Sequence, residues 1–148
     1  MNKHEQVTIL MAEDDDGHAR LIQERFEAAG VSNPQIRFRD GREAWDYISR
    51  KDGGGREPGK PYLLLLDIRM PGLDGVEVLR RVKADPGLKK MPVIMLTTTD
   101  DPREIDECYR LGCNNYLTKP VDFRHFSEMI KRLGLFISVI KVSPLNGR

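Results

Sequence analysis

Cysteine is scarce in this chain: Cys108 and Cys113 are the only two in 148 residues. Two thiols without metal-type clustering exclude a disulfide-stapled scaffold and a structural zinc site, and they fit free thiols in a cytosolic protein. An excess of charge of one sign is also lacking. Lys and Arg total 24 against 23 Asp and Glu, a formal net charge of +1, which gives no electrostatic case for binding nucleic acid or a membrane surface. Long apolar runs are missing too. The most apolar late stretch, Leu133 to Val142, falls well short of the ~20 residues a membrane helix needs. The opening Met1-Asn2-Lys3-His4-Glu5-Gln6 has no apolar core of a secretory signal. These absences lead us to expect a cytoplasmic protein with no membrane partner. A hydrophobic fraction of 39% and a charged fraction of 32% then describe a globular domain rather than a disordered chain. The length predicts one domain over 1–148, with its core over about 7–142 and a short tail at 143–148.

What the chain does have is Tyr62-Leu63-Leu64-Leu65-Leu66-Asp67, an apolar run that ends in a carboxylate, followed by the turn Ile68-Arg69-Met70-Pro71-Gly72-Leu73-Asp74-Gly75. A short continuous apolar run between turn residues predicts a strand buried on both faces of a parallel sheet. Asp67 falls at its carboxyl end, where open α/β sheets bind ligands. Val7 to Ala12 repeats the pattern and ends in Glu13-Asp14-Asp15-Asp16; Pro92 to Leu96 ends in Thr97-Thr98-Thr99. Shorter strands are predicted at Ile36–Phe38 and Asn115–Thr118, the latter leading into Lys119-Pro120.

Helical spacing fills the intervals. Leu21, Ile22, Arg25 and Phe26 mark a first helix, capped by Asp15 or Asp16 and ended by Gly30. Asp40-Gly41-Arg42-Glu43 opens a second through Ala44, Trp45 and Ile48. Val76, Leu79 and Val82 mark a third. A fourth spans Asp100 to Gly112, capped by Thr98, Thr99 or Asp100. The last begins near Asp122 with Phe126, Met129, Ile130, Leu133 and Ile137 on one face. The segment Lys51 to Pro61, with Asp52-Gly53-Gly54-Gly55 and two prolines, predicts a mobile connector. It lacks the Lys-Ser/Thr of a phosphate-cradling P-loop. Repeated β-α units force parallel strands and right-handed crossovers. The fold class is therefore α/β: a flavodoxin-like, doubly wound, five-stranded parallel sheet in the order 2-1-3-4-5 with helices on both faces.

In such a sheet every strand delivers its carboxyl end to one edge. Glu13, Asp14, Asp67, Thr97 and Lys119 then converge. Three neighbouring carboxylates repel one another, and a hard divalent cation, usually Mg²⁺, relieves the repulsion. Lys119 supplies a fixed cation opposite. The set suits an aspartate that accepts a phosphoryl group, with metal and lysine neutralising the oxygens and Thr97 donating its hydroxyl. Taken singly, each residue has a plainer role as a helix cap or a solvated charge. The ordered set on successive strands carries the reading.

Glu13-Asp14, Asp67 with Met70-Pro71 and Gly75, Thr97, Tyr116 and Lys119-Pro120 resemble the receiver domain of two-component response regulators over nearly the whole chain. The resemblance implies phosphorylation of Asp67 by a partner histidine kinase or a small phosphodonor with Mg²⁺ bound. It implies direct metal ligation by Asp14 and Asp67, a backbone carbonyl from Arg69, and Glu13 acting through water. Lys119 would pair with the phosphoryl group, and the Lys119–Pro120 bond would be cis. Thr97 moving toward the phosphoryl group would vacate space for Tyr116 and bias the surface around the fourth helix and fifth strand. Arg69 and Thr99, two residues past Asp67 and Thr97, occupy positions that tune dephosphorylation in the family. Arg69 there would obstruct or orient the attacking water.

The loop at 51–61, the segment from Asp85 to Lys90 and the long apolar last helix are similar to single-domain regulators paired with bacterial phytochromes, which dimerise through their fourth and fifth helices. Leu135, Phe136 and Ile140 are candidates for such a contact, or for a helix that curls over its own core. With no second domain expected, output would be by protein contact. Two rival readings are a non-phosphorylated pseudo-receiver scaffold and a haloacid-dehalogenase-type phosphatase. The intact acids, Thr97 and Lys119 argue against the first. Arg69, where the phosphatase needs a second Asp, argues against the second.

Overall fold

In the computed structural model the described residues are 6–50 and 54–145. The predicted alternation is present among them: β1 (Thr8–Ala12), α1 (Asp16–Ala28), β2 (Gln35–Phe38), α2 (Gly41–Ser49), β3 (Tyr62–Leu66), α3 (Gly75–Ala84), β4 (Val93–Thr97), α4 (Pro102–Leu111), β5 (Asn115–Thr118) and α5 (Phe123–Val139). The strands form one sheet in the order β2-β1-β3-β4-β5, and every neighbouring pair is parallel.

Because strand side chains alternate between faces, the leucine run of β3 feeds two cores at once. Leu64 and Leu66 join Leu10, Val93 and Met95 beneath α2 and α3, with Cys108 of α4. Leu63 and Leu65 join Ile9, Met11, Ile94 and Leu96 beneath α1 and α5, which contribute Ile22, Phe26, Phe126, Ile130 and Ile137. Both faces of β1, β3 and β4 are covered, and this is why their sequences read as continuous apolar runs.

Helix starts follow side-chain capping, in which an oxygen accepts an orphan backbone N–H. Asp15 accepts from His18 N, Asp40 from Glu43 N, Asp74 from Glu77 N and Asp122 from Arg124 N. The cap of α4 differs from expectation. Asp101, next to Pro102, accepts from Arg103 N, so Thr98, Thr99 and Asp100 remain in the connection that faces the site.

The connector before β3 is also different from expectation in its described part. Arg56 is buried; its backbone N donates to Tyr47 O at 3.1 Å and its Nε to Ile48 O at 2.9 Å. These bonds satisfy carbonyls at the end of α2, which has no basic residue in its last turn. The segment after α5 is no loose tail either. Gly59 N donates to Leu145 O at 2.8 Å, Leu145 N donates to Lys60 O at 3.1 Å, and Leu145 belongs to the core under α2 and α3. The core thus extends beyond 142. Met1 to Glu5, Lys51 to Gly53 and residues 146–148 lie outside the described residues, as do the expectations that fall on them.

Candidate active site at the carboxyl edge of the sheet

Three of the sequence-predicted site residues owe their position to one further rung of the parallel ladder. Glu13 N donates to Phe38 O, Asp67 N to Ala12 O and Lys119 N to Thr97 O, at 3.1, 3.1 and 2.7 Å. Each side chain is therefore held by sheet geometry and not by a loop. Close behind Asp67 the backbone of Gly75 donates to Ile68 O at 2.9 Å. A Cβ at Gly75 would lie 2.1 Å from the Asp67 carbonyl oxygen, so glycine is required for the turn to fold back against the strand end.

The sequence-predicted charges meet. Lys119 Nζ donates to Glu13 Oε1 at 2.6 Å and to Asp67 Oδ2 at 3.1 Å, with Lys119 only 4% exposed. Asp14 sits at the exposed rim, and carboxylate oxygens of Glu13, Asp14 and Asp67 lie within 4.8 Å of one another. One ammonium cannot balance three carboxylates. Burial pushes the Glu13 carboxyl up to about 7; Asp67 adds to the rise and Lys119 opposes it. The pocket thus favours holding a proton where a divalent cation would otherwise take the excess negative charge. An oxygen-only donor set of this kind fits a hard cation. Arg69, whose carbonyl was expected to be a further ligand, follows β3 in the same turn, and its N donates to Asp67 Oδ1 at 3.3 Å.

Thr97 is fully buried at the end of β4, and its Oγ1 accepts from Thr99 N at 3.5 Å. Tyr116 is half-buried, and its hydroxyl donates to Thr99 O at 2.8 Å. Burial pushes this phenol up to about 12, with Cys108 and Glu104 adding to the rise, so it stays a neutral donor near pH 7. The side chain of Arg69 lies along the rim: Nε donates to Thr99 Oγ1 and Nη2 to Glu104 Oε1, both at 3.3 Å. The Lys119–Pro120 bond is trans, in contrast to the cis bond the family resemblance implied. Trans is the intrinsically preferred isomer of an X–Pro bond, and Lys119 reaches both carboxylates from it.

Three residues of the site were not foreseen. His18, in the first turn of α1, has Nδ1 3.1 Å from Lys119 Nζ, and its ring meets Phe126 edge-on at 5.4 Å. Arg37 of β2 donates Nε and Nη2 to Glu13 O at 2.9 and 2.7 Å and Nη1 to Asp16 Oδ1 at 2.7 Å, clamping the acidic turn. Glu104 of α4 is the partner of Arg69. An arginine inside the short β2 run, beside the end of β1, was the available signal for Arg37. His18 and Glu104 carried no comparable one.

Residues 9–131 match the family described as the response regulator receiver domain. A receiver domain from Rhodospirillum rubrum is 48% identical and superposes with a TM-score of 0.89 over 95% of this chain and 99% of its own. Response regulator Rcp1 of Synechocystis is 34% identical over 128 residues, 86% of each chain. A crystal structure of its Mn²⁺-bound form has a TM-score of 0.83 at 29% identity, covering 92% of this chain and 98% of that one. The phosphorylated cyanobacterial phytochrome response regulator RcpA has a TM-score of 0.84 at 34% identity, over 93% of this chain and 99% of that one.

Proposed function

The chain belongs to the response regulator receiver family of two-component signalling, and from that premise we propose that Asp67 is its phosphoacceptor, with Mg²⁺ as the bound cation. The observation that carries this reading is the placement of Lys119 Nζ within hydrogen-bond reach of both Asp67 and Glu13, with Asp14 close by. A carboxylate oxygen of Asp67 attacks phosphorus in line. The P–N bond of a kinase phosphohistidine, or the P–O bond of a small acyl phosphate, breaks as it does so. The leaving imidazole or carboxylate departs with the bonding pair. Lys119 turns from bridging two acids to pairing with the phosphoryl oxygens, and Thr97 donates its hydroxyl to one of them. Asp14, Asp67, the Arg69 carbonyl and, through water, Glu13 would hold Mg²⁺, which would supply charge neutralisation on those oxygens.

The chain acts as a switch, with at most self-catalysed phosphoryl transfer and dephosphorylation; Arg69, standing where a haloacid-dehalogenase-type phosphatase needs a second Asp, argues against that enzyme. Movement of Thr97 toward the phosphoryl group lets Tyr116 leave the Thr99 carbonyl and turn inward, altering the α4–β5–α5 surface. A sensor histidine kinase is the partner this reading implies, and the likeness to RcpA, a phytochrome response regulator, supports one of phytochrome type. Homodimerisation through α4 and α5 is supported by Leu135 and Phe136, which are exposed on α5; Phe136 also lines an apolar groove with Ile94, Leu117, Met129 and Leu133. Ile140, by contrast, packs on the chain's own core. Incubation with acetyl phosphate and Mg²⁺ followed by intact-protein mass spectrometry tests the reading. One phosphoryl adduct is expected for the native chain and none for Asp67→Asn; an equal adduct in the variant overturns it.

A further inference from the structure

The Arg69 guanidinium links parts of the molecule that the switch must couple. Besides its bond to Thr99 Oγ1 it donates to Glu104 Oε1, and Glu104 lies in the first turn of α4. Thr99, in turn, accepts the hydroxyl of Tyr116 on its carbonyl. One side chain two residues beyond Asp67 therefore ties the turn after β3 to the β4–α4 connection and to α4 itself. The positive charge of Arg69 also reaches Asp101, the cap of α4, and helps to hold its carboxyl below the usual range, behind the Arg103 N–H bond that dominates that shift. The Arg69–Glu104 pair lies at the surface, with 66% of the arginine side chain and 28% of the glutamate side chain accessible. Pairs of this kind are weak and readily exchanged.

Conversion of Asp67 to an acyl phosphate would replace its single charge with a phosphoryl group of roughly −1.5 to −2 charges and three acceptor oxygens, two residues from Arg69. A planar guanidinium matches such oxygens bidentately, and charge-assisted bonds to phosphate are stronger than an exposed carboxylate pair. We propose that Glu104 and the phosphoryl group on Asp67 compete for Arg69, so that Glu104 is a positioning residue for the acceptor site and the Arg69–Glu104 pair is a latch on α4. The inference rests on Asp67 being the phosphoacceptor. In the unmodified protein Glu104 holds the guanidinium along the rim. When the phosphoryl group arrives Arg69 turns to it, and α4 loses a tie by a route separate from Thr97 and Tyr116.

Titration with beryllofluoride and Mg²⁺, followed by backbone amide shifts, tests this in the native chain, Glu104→Gln, Arg69→Ala and the double variant. Removing the competing carboxylate is expected to tighten beryllofluoride binding roughly two- to five-fold, the range an exposed ion pair commands. Arg69→Ala is expected to weaken it, and Glu104→Gln to have no further effect in the Arg69→Ala background. Unchanged or weaker binding by Glu104→Gln overturns the latch. So does equal tightening with and without Arg69, which would make Glu104 a simple repelling charge. Failure of the native chain to bind beryllofluoride would instead overturn the phosphoacceptor reading, and the latch with it.

Discussion

The two edges of one sheet are finished in opposite ways. At the amino edge the approach to β3 pairs with the segment after α5, and Leu145, 2% exposed, closes the core. The one buried charge described there, Arg56, is bonded to the Ile48 carbonyl. At the carboxyl edge the same strands end in Glu13, Asp67, Thr97 and Lys119, all buried, and the acids outnumber the base. Buried charge of this kind costs stability unless it is partnered. The contrast teaches that the fold is secured at one end and left electrostatically incomplete at the other, where the proposed phosphoacceptor lies.

The contrast is broken most severely at Lys119. Lys119→Met leaves Glu13 and Asp67 buried without their cation and is expected to destabilise the metal-free protein by about 3–5 kcal/mol, measured by urea unfolding. An unchanged midpoint would mean that the carboxyl edge is not held by this ammonium. Next comes the opposite edge. Leu145→Ala removes a buried leucine and is expected to cost about 2–4 kcal/mol while leaving phosphoryl adduct formation at Asp67 intact. Loss of the adduct in a folded variant would show that the edges are not independent.

A smaller effect follows from pH. The Glu13 carboxyl is raised from its ordinary 4.5 to about 7, so between those values the folded state binds more protons than the unfolded one. Stability from this group is fully present below 4.5 and is lost as pH rises through 7. The melting temperature of the metal-free protein should fall by roughly a few degrees across that window, and Glu13→Gln should flatten the profile. Added Mg²⁺ should recover the lost stability at the upper end. The smallest change is expected at the α4 cap: Asp101→Ala should cost about 1 kcal/mol, and a null result would move the cap to Asp100.

Much of this architecture was legible in the sequence because strand burial and capping are local properties. The run Leu63 to Leu66 announces a doubly covered strand, and Asp15, Asp40 and Asp122 each stand one residue before a helix. The acids and the lysine of the site were legible for a related reason: topology alone brings strand ends together. Arg56 and Leu145 were not legible. A glycine- and proline-rich composition marks a connector but does not say that its arginine will bond the carbonyls at the end of α2, or that a leucine distant in sequence will dock beside it. His18 and Glu104 fail similarly, since their roles exist only across elements, in contacts with Lys119 and Arg69.

The most direct test of the central claim locates the acyl phosphate itself. After treatment with acetyl phosphate and Mg²⁺, borohydride reduction converts a phosphorylated aspartate to homoserine, and peptide mass spectrometry then reads its position. The account predicts homoserine at position 67 in the native chain, with its yield sharply reduced in Lys119→Met. Homoserine at position 14, or at no acid of the carboxyl edge, would contradict it.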